Sequence, residues 1–203
     1  MSDETKNAPA PKATPRGGEG HGWGGVDTLG LASGDWVVDD GGTGLSQNAE
    51  PARTQTGEPI PAQIAITDTR KSGSITYRAN KVGAVTPFAL TLGKEYNGYV
   101  VTGATLNGSQ GWTTIVVQYH MHTDTQVGHM TNEKDIKWPS GVLGYGAFRV
   151  LGSNFDTAEI QSCNFSATID HTDRNTNVGQ HLVGRSHGVT YTASETAVTD
   201  KDE

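Results

Sequence analysis

The segment 99–123, YVVTGATLNGSQGWTTIVVQYHMHT, is the longest stretch of this sequence that is rich in β-branched and aromatic residues. Two such runs flank NGSQ at 107–110, where Asn and Gly readily adopt the positive φ angles of tight hairpin turns. β-Branched and aromatic side chains favour the pleated, half-buried surface of a sheet. The segment therefore predicts a long β-hairpin, and we expect the rest of the chain to be organised around it.

The second run of this hairpin alternates with the period of two that is typical of a strand. One face carries Thr113, Ile115, Val117, Tyr119 and Met121, and the other carries Trp112, Thr114, Val116, Gln118, His120 and His122. The first set is mostly apolar and predicts the core face. The second set is mixed and predicts a face that is solvated or that contacts another subunit.

Further alternating runs lie on both sides of the hairpin. They occupy residues 63–69, 72–79, 85–92, 142–151, 160–169 and 188–193, with a turn expected at 68–72. The run at 160–169 alternates most cleanly and places the single cysteine, Cys163, on the core face with Phe165 and Ile169. These runs predict an all-β fold, an antiparallel β-sandwich or small β-barrel of about eight strands with a flexible N-terminal arm.

Composition divides the chain into four parts. Residues 1–25 are rich in Pro, Gly, Ala and Lys and have little to bury, so they predict a disordered or partner-clasping arm. Residues 26–61 predict a Gly/Pro-rich extended arm or loop, because Gly and Pro punctuate this stretch. We assign the antiparallel β domain to 62–194 and an acidic C-terminal tail to 195–203.

Two polar stretches inside the β domain predict loops, at 124–140 and 170–187, and the first is expected to hold a short helical turn at 132–137. Near the N-terminus, Trp23 and Trp36 stand out from their polar surroundings and could anchor the arm on another surface. The alternative for Trp36, with the two valines that follow it, is a short edge strand of the same domain.

Charge and cysteine content exclude several classes of protein. The formal net charge is -7, so the chain lacks the basic surface that grips nucleic-acid phosphates. A single cysteine forms no intrachain disulfide and no C-x-x-C motif. The first residues are polar, and no run approaches the ~18 apolar residues of a membrane span. We therefore expect a soluble protein that is made in the cytoplasm and has no membrane partner.

The pair His120 and His122 is the strongest candidate for chemistry. Side chains at i and i+2 of a strand share a face, and two imidazoles there form half of a zinc or copper site, to which His129 could add a third ligand. The alternative is that these histidines lie on a solvated or inter-subunit face. No Ser-His-Asp combination is accompanied by a nucleophile elbow. We predict a non-enzymatic protein without a cofactor.

The order of elements after residue 98 resembles a known class. A strand YVVTGATL, a partner TTIVVQYHMHT, the run IQSCNFSATIDH, a polar loop with GQH at 179–181 and a final GVTYTASETAV resemble the tail tube proteins of tailed bacteriophages and prophages. The resemblance implies a small β-barrel or sandwich that assembles into stacked hexameric rings, joined by long loops and terminal arms. It also implies a location in the virion, synthesis in the host bacterial cytoplasm and other virion proteins as partners. The acidic balance suits a lumen through which DNA passes without specific binding.

On this hypothesis the central hairpin is the assembly sheet. The candidate interface residues are Trp23, Trp36, Trp112, Gln118, His120, His122 and Trp138. Two alternatives come from other classes. One is a carbohydrate- or ligand-binding β-sandwich that uses Trp112, Trp138 and Tyr145 as a stacking platform, and the other is a metal-binding protein or metalloenzyme built on His120 and His122. Capsid decoration and tail termination remain open as other virion roles.

Overall fold

The computed structural model of the chain describes residues 26–83, 85–122, 133–151, 160–175 and 181–198. These residues form nine β-strands: β1 Trp36–Arg53, β2 Pro59–Ala79, β3 Thr91–Leu92, β4 Glu95–Tyr96, β5 Tyr99–Gly108, β6 Thr114–His122, β7 Lys134–Asp135, β8 Ile160–Asn175 and β9 His181–Ala197. The described residues form no helix, and so none that would reach across a bilayer. The predicted all-β fold is confirmed. The predicted arm at 1–25, with Trp23, and also His129 lie outside the described residues.

Six strands form one open antiparallel sheet in the order β1-β2-β6-β5-β8-β9, and the short β4 pairs with β5. A second, two-stranded sheet joins β3 to β7. Within the described part of the chain, β1 and β9 are the two edges of the main sheet, since each has one strand neighbour.

The predicted central hairpin is confirmed as β5 and β6, and it lies in the middle of the sheet. β6 pairs with β5 on one side and β2 on the other, and β5 pairs with β6 and β8. The face assignment also holds, because Ile115 and Val117 are fully buried whereas Gln118 is exposed. His120 departs from the pattern, since it is buried although it lies on the opposite face.

The core lies between one face of the main sheet and a layer of mostly irregular segments. Trp36 and Tyr77 reach from the sheet to Phe88 in this layer, with edge-to-face ring centroids 5.9 and 5.0 Å apart. The indole of Trp36 donates a hydrogen bond to the Thr86 carbonyl at 2.8 Å, and the indole of Trp138 donates to the Phe88 carbonyl at 3.0 Å. Each tryptophan therefore buries its apolar body and satisfies its polar N–H on the same covering segment.

The junction between β1 and β2 depends on a glycine. A Cβ at Gly73 would lie 2.0 Å from the Gly42 carbonyl oxygen, so only glycine allows the backbones to approach this closely. Tyr119 lies opposite Gly73 on β6, and its hydroxyl hydrogen-bonds the Thr43 hydroxyl at 2.8 Å on β1. The tyrosine side chain thus crosses the glycine and links the edge strand to the centre of the sheet.

The predicted boundary between a linking segment at 26–61 and the β domain at 62–194 is wrong. β1 and the start of β2 lie within 26–61 and belong to the main sheet. The predicted strands at 63–69 and 72–79 are one continuous strand, β2, and the expected turn at 68–72 is absent from it. β2 pairs with β1 throughout this stretch, with a register irregularity between the pairs Ser46–Arg70 and Asn48–Thr67.

Other boundaries also differ from prediction. The run at 85–92 forms an isolated bridge at Val85 and the two-residue β3, and 142–151 forms bridges at Leu143 and Tyr145 without a strand. The expected helical turn at 132–137 is wrong, since β7 pairs with β3 there. The expected loop at 170–187 is mostly strand, because β8 and β9 continue as a pair of polar strands. Residues 195–197 of the predicted tail belong to β9, and 199–203 lie outside the described residues.

Candidate assembly surface

The two edge strands of the main sheet are its most distinctive surface. β1 is 18 residues long and β9 is 17. A single row of partners crosses the whole sheet: Gly42, Ser74, Gln118, Gly103, Thr168 and Thr190. β1 begins at Trp36 on one side of this row and ends at Arg53 on the other side. The corresponding ends of β9, which runs in the opposite direction, are Ala197 and His181. The two edges therefore cover nearly the same stretch of the sheet axis.

The direction of the edges follows from the strand count. All neighbours in the six-strand path are antiparallel, so β1 and β9 run in opposite directions. An edge strand presents a row of backbone N–H and C=O groups that can pair with another chain. The edges of this sheet are thus of nearly equal length, nearly level with one another and opposite in strand direction.

The edges carry few of the features that prevent pairing between sheets. Natural edge strands are commonly blunted by lysine, proline, bulges or short length. β9 contains neither lysine nor proline, and β1 contains no lysine and one proline, Pro51. Register shifts between Val38 and Asp40, Ser46 and Asn48, and Pro51 and Arg53 leave the β1–β2 pair with a regular ladder from Asp40 to Ser46. In the β8–β9 pair the ladder is regular from Ser162 to Asp170 of β8. The composition of both strands therefore permits another strand to add to them.

Two ribbons extend past the same end of the sheet. β2 has β6 as a partner only from Arg70 onwards, so β1 and β2 continue beyond it as a two-stranded first ribbon, residues 46–69. β5 pairs with β8 only as far as Thr168, so β8 and β9 continue beyond it as a second ribbon. β5 begins and β6 ends at this end of the sheet. At about 3.3 Å per residue, the first ribbon extends roughly 35 Å beyond its neighbour.

The face of the sheet opposite the core is polar and rich in hydroxyl groups. Neighbouring strands share side-chain hydrogen bonds there, between the hydroxyls of Thr105 and Ser166 at 3.1 Å and between the amides of Asn164 and Asn107 at 2.6 Å. A shallow groove of about 580 Å³ crosses this face. Its lining includes Gly42, Gly44, Ser72, Ser74, Gln118 and His120. These polar and glycine residues place the groove over β1, β2, β6 and β5.

The predicted interface residues are dispersed. Trp36 is buried in the core, and Trp112 and Trp138 are half-buried. Gln118 is exposed on the polar face and His120 is buried there, whereas Trp23 and the side chain of His122 lie outside the described part. The central hairpin has strand neighbours on both sides, whereas β1 and β9 are the strands that are open along their full length in the described part of the main sheet.

The three aromatic residues of the predicted stacking platform do not lie in one plane. Trp112 and Tyr145 contact each other at 5.4 Å with ring planes 89° apart, and the Arg78 guanidinium lies 5.8 Å from the Trp112 ring centroid. Trp138 packs instead against Phe165, with ring centroids 6.0 Å apart. A flat platform for a sugar ring is not formed by these side chains.

Within the described residues, no group of three or more His, Cys, Asp and Glu side chains has the geometry of a metal site. Cys163 is buried, as predicted, and accepts a hydrogen bond from the Phe148 N–H at 3.3 Å. Burial raises the pKa of this thiol. The neutral thiol is therefore a packing residue of the core.

Sequence reasoning identified only parts of the two edge strands, 188–193 in β9 and, as one alternative, a short edge strand at Trp36. The segment DDGGTG at 39–44 lacks apolar alternation, and its one available signal is the matching small residues at 72–74, which lie opposite 42–44. No family model matches the chain, and neither a curated protein nor a solved structure shows significant similarity to it.

Proposed function

We propose that this chain is a non-enzymatic structural subunit that self-assembles when β9 of one copy pairs with β1 of the next. The observation that carries this proposal is the match between the two edges in length, level and polarity. We further propose that the assembly is a ring of the tail tube class, which is the class that the sequence resembles.

The geometry supports a continuous sheet. Because β1 and β9 run in opposite directions, their pairing between copies extends the antiparallel order without interruption. The contact is heterologous, since one edge meets the other edge, and repeated heterologous contacts close into a ring when the rotation between copies permits it. A closed ring leaves β1 and β9 without a free edge.

The two faces of the sheet suggest which one would line the lumen. The core face carries the bulky covering layer, so we place it on the outside of the ring. The polar face, with its small side chains, then lines the inside. It carries the carboxylates of Asp40 and Asp170 among hydroxyl and amide groups, and its Arg78 guanidinium pairs with Asp39 at 3.2 Å. The carboxylates repel DNA phosphates, and the pairing of Arg78 weakens its attraction for them.

The first test blocks the β9 edge with lysine. Thr192 and Thr168 are both exposed threonines on the polar face, but Thr192 lies on the edge strand and Thr168 on the internal β8. We expect Thr192→Lys to abolish large assemblies, since edge lysines oppose strand pairing, and Thr168→Lys to leave them intact. Light scattering and negative-stain microscopy measure both. Equal assembly of the two variants would contradict edge pairing.

A complementation experiment sharpens this test. Gly44→Lys blocks β1 instead, and the fold tolerates it because a Cβ there is 3.8 Å from its nearest neighbour, the Ser72 carbonyl oxygen. Each variant alone should be monomeric. Mixed in equal amounts, they should form a heterodimer of about twice 21.4 kDa, through the free β9 of one variant and the free β1 of the other. A mixture that remains monomeric would refute the proposal.

A further inference from the structure

Each edge strand of the main sheet carries one large apolar side chain that is open to solvent. Leu45 on β1 is 62% exposed and Tyr191 on β9 is 45% exposed. Both lie on the core face of the sheet. Tyr191 is opposite the buried Ala167, and Leu45 is four residues from Gly41, which is opposite the buried Ile75. The two edges therefore present an apolar side chain each, on the same face.

Both side chains are supported on one side of their strand. The Tyr191 ring lies 5.9 Å from the Phe165 ring on β8, with the ring planes 36° apart, and Leu45 is opposite Lys71 on β2. In a sheet, apolar side chains are stabilised by the cross-strand neighbours on both sides. Within the described chain, neither edge has a strand on its outer side. A strand added there would cover the exposed part of each side chain.

We infer that Leu45 of one copy lies directly opposite Tyr191 of the next, and that this pair sets the register in which β1 pairs with β9. The inference rests on the proposed function. In an antiparallel ladder one matched pair fixes all the others, so residues 40–46 of β1 then lie opposite 196–190 of β9. Each of these stretches already forms a regular ladder with its neighbour in the same chain. The pairing therefore joins the two regular parts of the edges and buries both apolar side chains against each other.

This register is staggered with respect to the row of partners that crosses the sheet. The row ends at Gly42 on β1 and at Thr190 on β9, whereas the new register places Thr190 opposite Ser46, four residues further along β1. Closing a sheet on itself requires such a stagger, because the strands must tilt relative to the axis. At about 3.3 Å per residue and about 4.8 Å between strands, four residues over six strands correspond to a tilt of about 25°.

The direction of the stagger agrees with a ring that has the covering layer on its outside. In a strand of L-residues that points upwards, the N–H of a residue whose side chain faces the viewer points to the right. The core-facing Ala79 of β2 donates its N–H to the Thr113 carbonyl, next to β6, at 2.9 Å. Seen from the covering layer with β2 upwards, β1 is therefore at the left end and β9 at the right end.

Strands of a closed sheet coil in a right-handed sense, so from outside they rise to the right. A row perpendicular to the strands then descends to the right and meets β1 of the next copy below its starting level. β1 runs downwards in this view, so the lower level has the higher residue number. The shift from Gly42 to Ser46 has this sign.

The first experiment removes the apolar pair. Leu45→Ala and Tyr191→Ala should each raise the protein concentration at which half of the chains are assembled by about tenfold, measured by light scattering. The double variant should assemble like the weaker single variant, because either truncation already removes the contact. The control is Val26→Ala, an exposed valine outside the strands, which should leave assembly unchanged. Losses that multiply to about a hundredfold in the double variant would overturn the direct contact.

The second experiment measures the register and leaves the apolar pair intact. The register places Gly44 of one copy opposite Thr192 of the next, so Gly44→Cys/Thr192→Cys should form disulfide-linked oligomers on mild oxidation. The control Gly44→Cys/Thr190→Cys moves one cysteine two residues along the same face and should not cross-link. Within one chain the two edges are five strand spacings of about 4.8 Å apart, so any link joins two copies. The native Cys163 is buried and stays out of the reaction.

The outcomes separate the register from the proposed function. Cross-links in the control variant alone, or in neither variant while both assemble, would overturn this register and leave the Thr192→Lys test of edge pairing to stand by itself. A wild-type protein that remains monomeric would refute the proposed function and this inference together.

Discussion

The central hairpin and the two edge strands are built from the same kind of backbone but differ in their surroundings. β5 and β6 have neighbours on both sides and a fully buried core face that includes Leu106 and Ile115. β1 and β9 have one neighbour each and extend into ribbons that no further strand of the described chain covers. We therefore expect the centre to supply most of the stability of the sheet, whereas one side of each edge strand has no strand partner within the described residues.

The largest expected difference between centre and edge concerns core truncation. Leu106→Ala in β5 should lower the free energy of unfolding by about 2–5 kcal/mol, because it removes a fully buried side chain and leaves a cavity. Urea denaturation measures this loss. Every protein in the comparison, including the reference, carries Thr192→Lys, so that self-association does not contribute to the measured free energy of unfolding.

The matched control for this prediction is a leucine on the edge strand. Leu45 in β1 is 62% exposed, so Leu45→Ala should change the free energy of unfolding by no more than about 0.5 kcal/mol. Similar losses for both leucines would contradict the assignment of stability to the centre.

An intermediate effect is expected where the covering layer is attached to the sheet. The Tyr77 hydroxyl donates to Asp27 at 2.7 Å, and the same carboxylate accepts the N–H groups of Gly30 at 2.9 Å and Ala32 at 2.8 Å. Tyr77→Phe should cost about 1.5–3 kcal/mol of unfolding free energy at neutral pH, because the lost hydrogen bond has a charged acceptor. Urea denaturation again measures it.

Tyr77→Phe should also change how the free energy of unfolding depends on pH. Burial, together with the hydrogen bond to Asp27, raises the pKa of Tyr77 far above its ordinary value of 10.0. Folding therefore favours the protonated phenol, whose contribution is fully present below about pH 10 and decreases at higher pH by about 1.4 kcal/mol per pH unit. Tyr77→Phe should remove this part of the alkaline slope. Identical slopes in the wild type and the variant would contradict the burial of this hydroxyl.

The smallest expected loss of unfolding free energy concerns Arg78, near the C-terminal end of β2. Arg78 contacts the Trp112 ring and pairs with Asp39 at 3.2 Å, with its side chain 35% exposed. Arg78→Gln should lower the free energy of unfolding by about 0.5–1 kcal/mol. The control is Lys81→Gln, which removes only an exposed pair with Asp35 and should cost less than about 0.5 kcal/mol. A larger loss for Lys81→Gln in urea denaturation would contradict the role of the Trp112 contact.

The sequence predicted correctly those strands that bury one face. Ile115, Val117 and Cys163 alternate with polar neighbours, and alternation reports directly which face is removed from water. One of two alternatives for Trp36 also proved correct, since it begins an edge strand of the same sheet. The length of that strand was not predicted, because residues 39–44 have no apolar period.

The hairpin predicted as the assembly sheet lies between other strands for a related reason. The central hairpin has the strongest β signal, but that signal comes from burial, and buried strands have their backbone groups already paired. Whether a strand is central or at an edge depends on partners distant in the sequence, such as Gly42 with Ser74 and Thr168 with Gly103. A local pattern contains no information about those partners.

The sequence by itself determined the all-β class, the central hairpin and the core faces of β6 and β8, because each follows from short-range alternation and turn chemistry. Only the tertiary structure decided that β1 joins the sheet, that β2 is continuous and that two polar ribbons extend from one end. Those features depend on hydrogen bonds between strands whose exposed faces carry no apolar pattern, so their positions are set by long-range pairing.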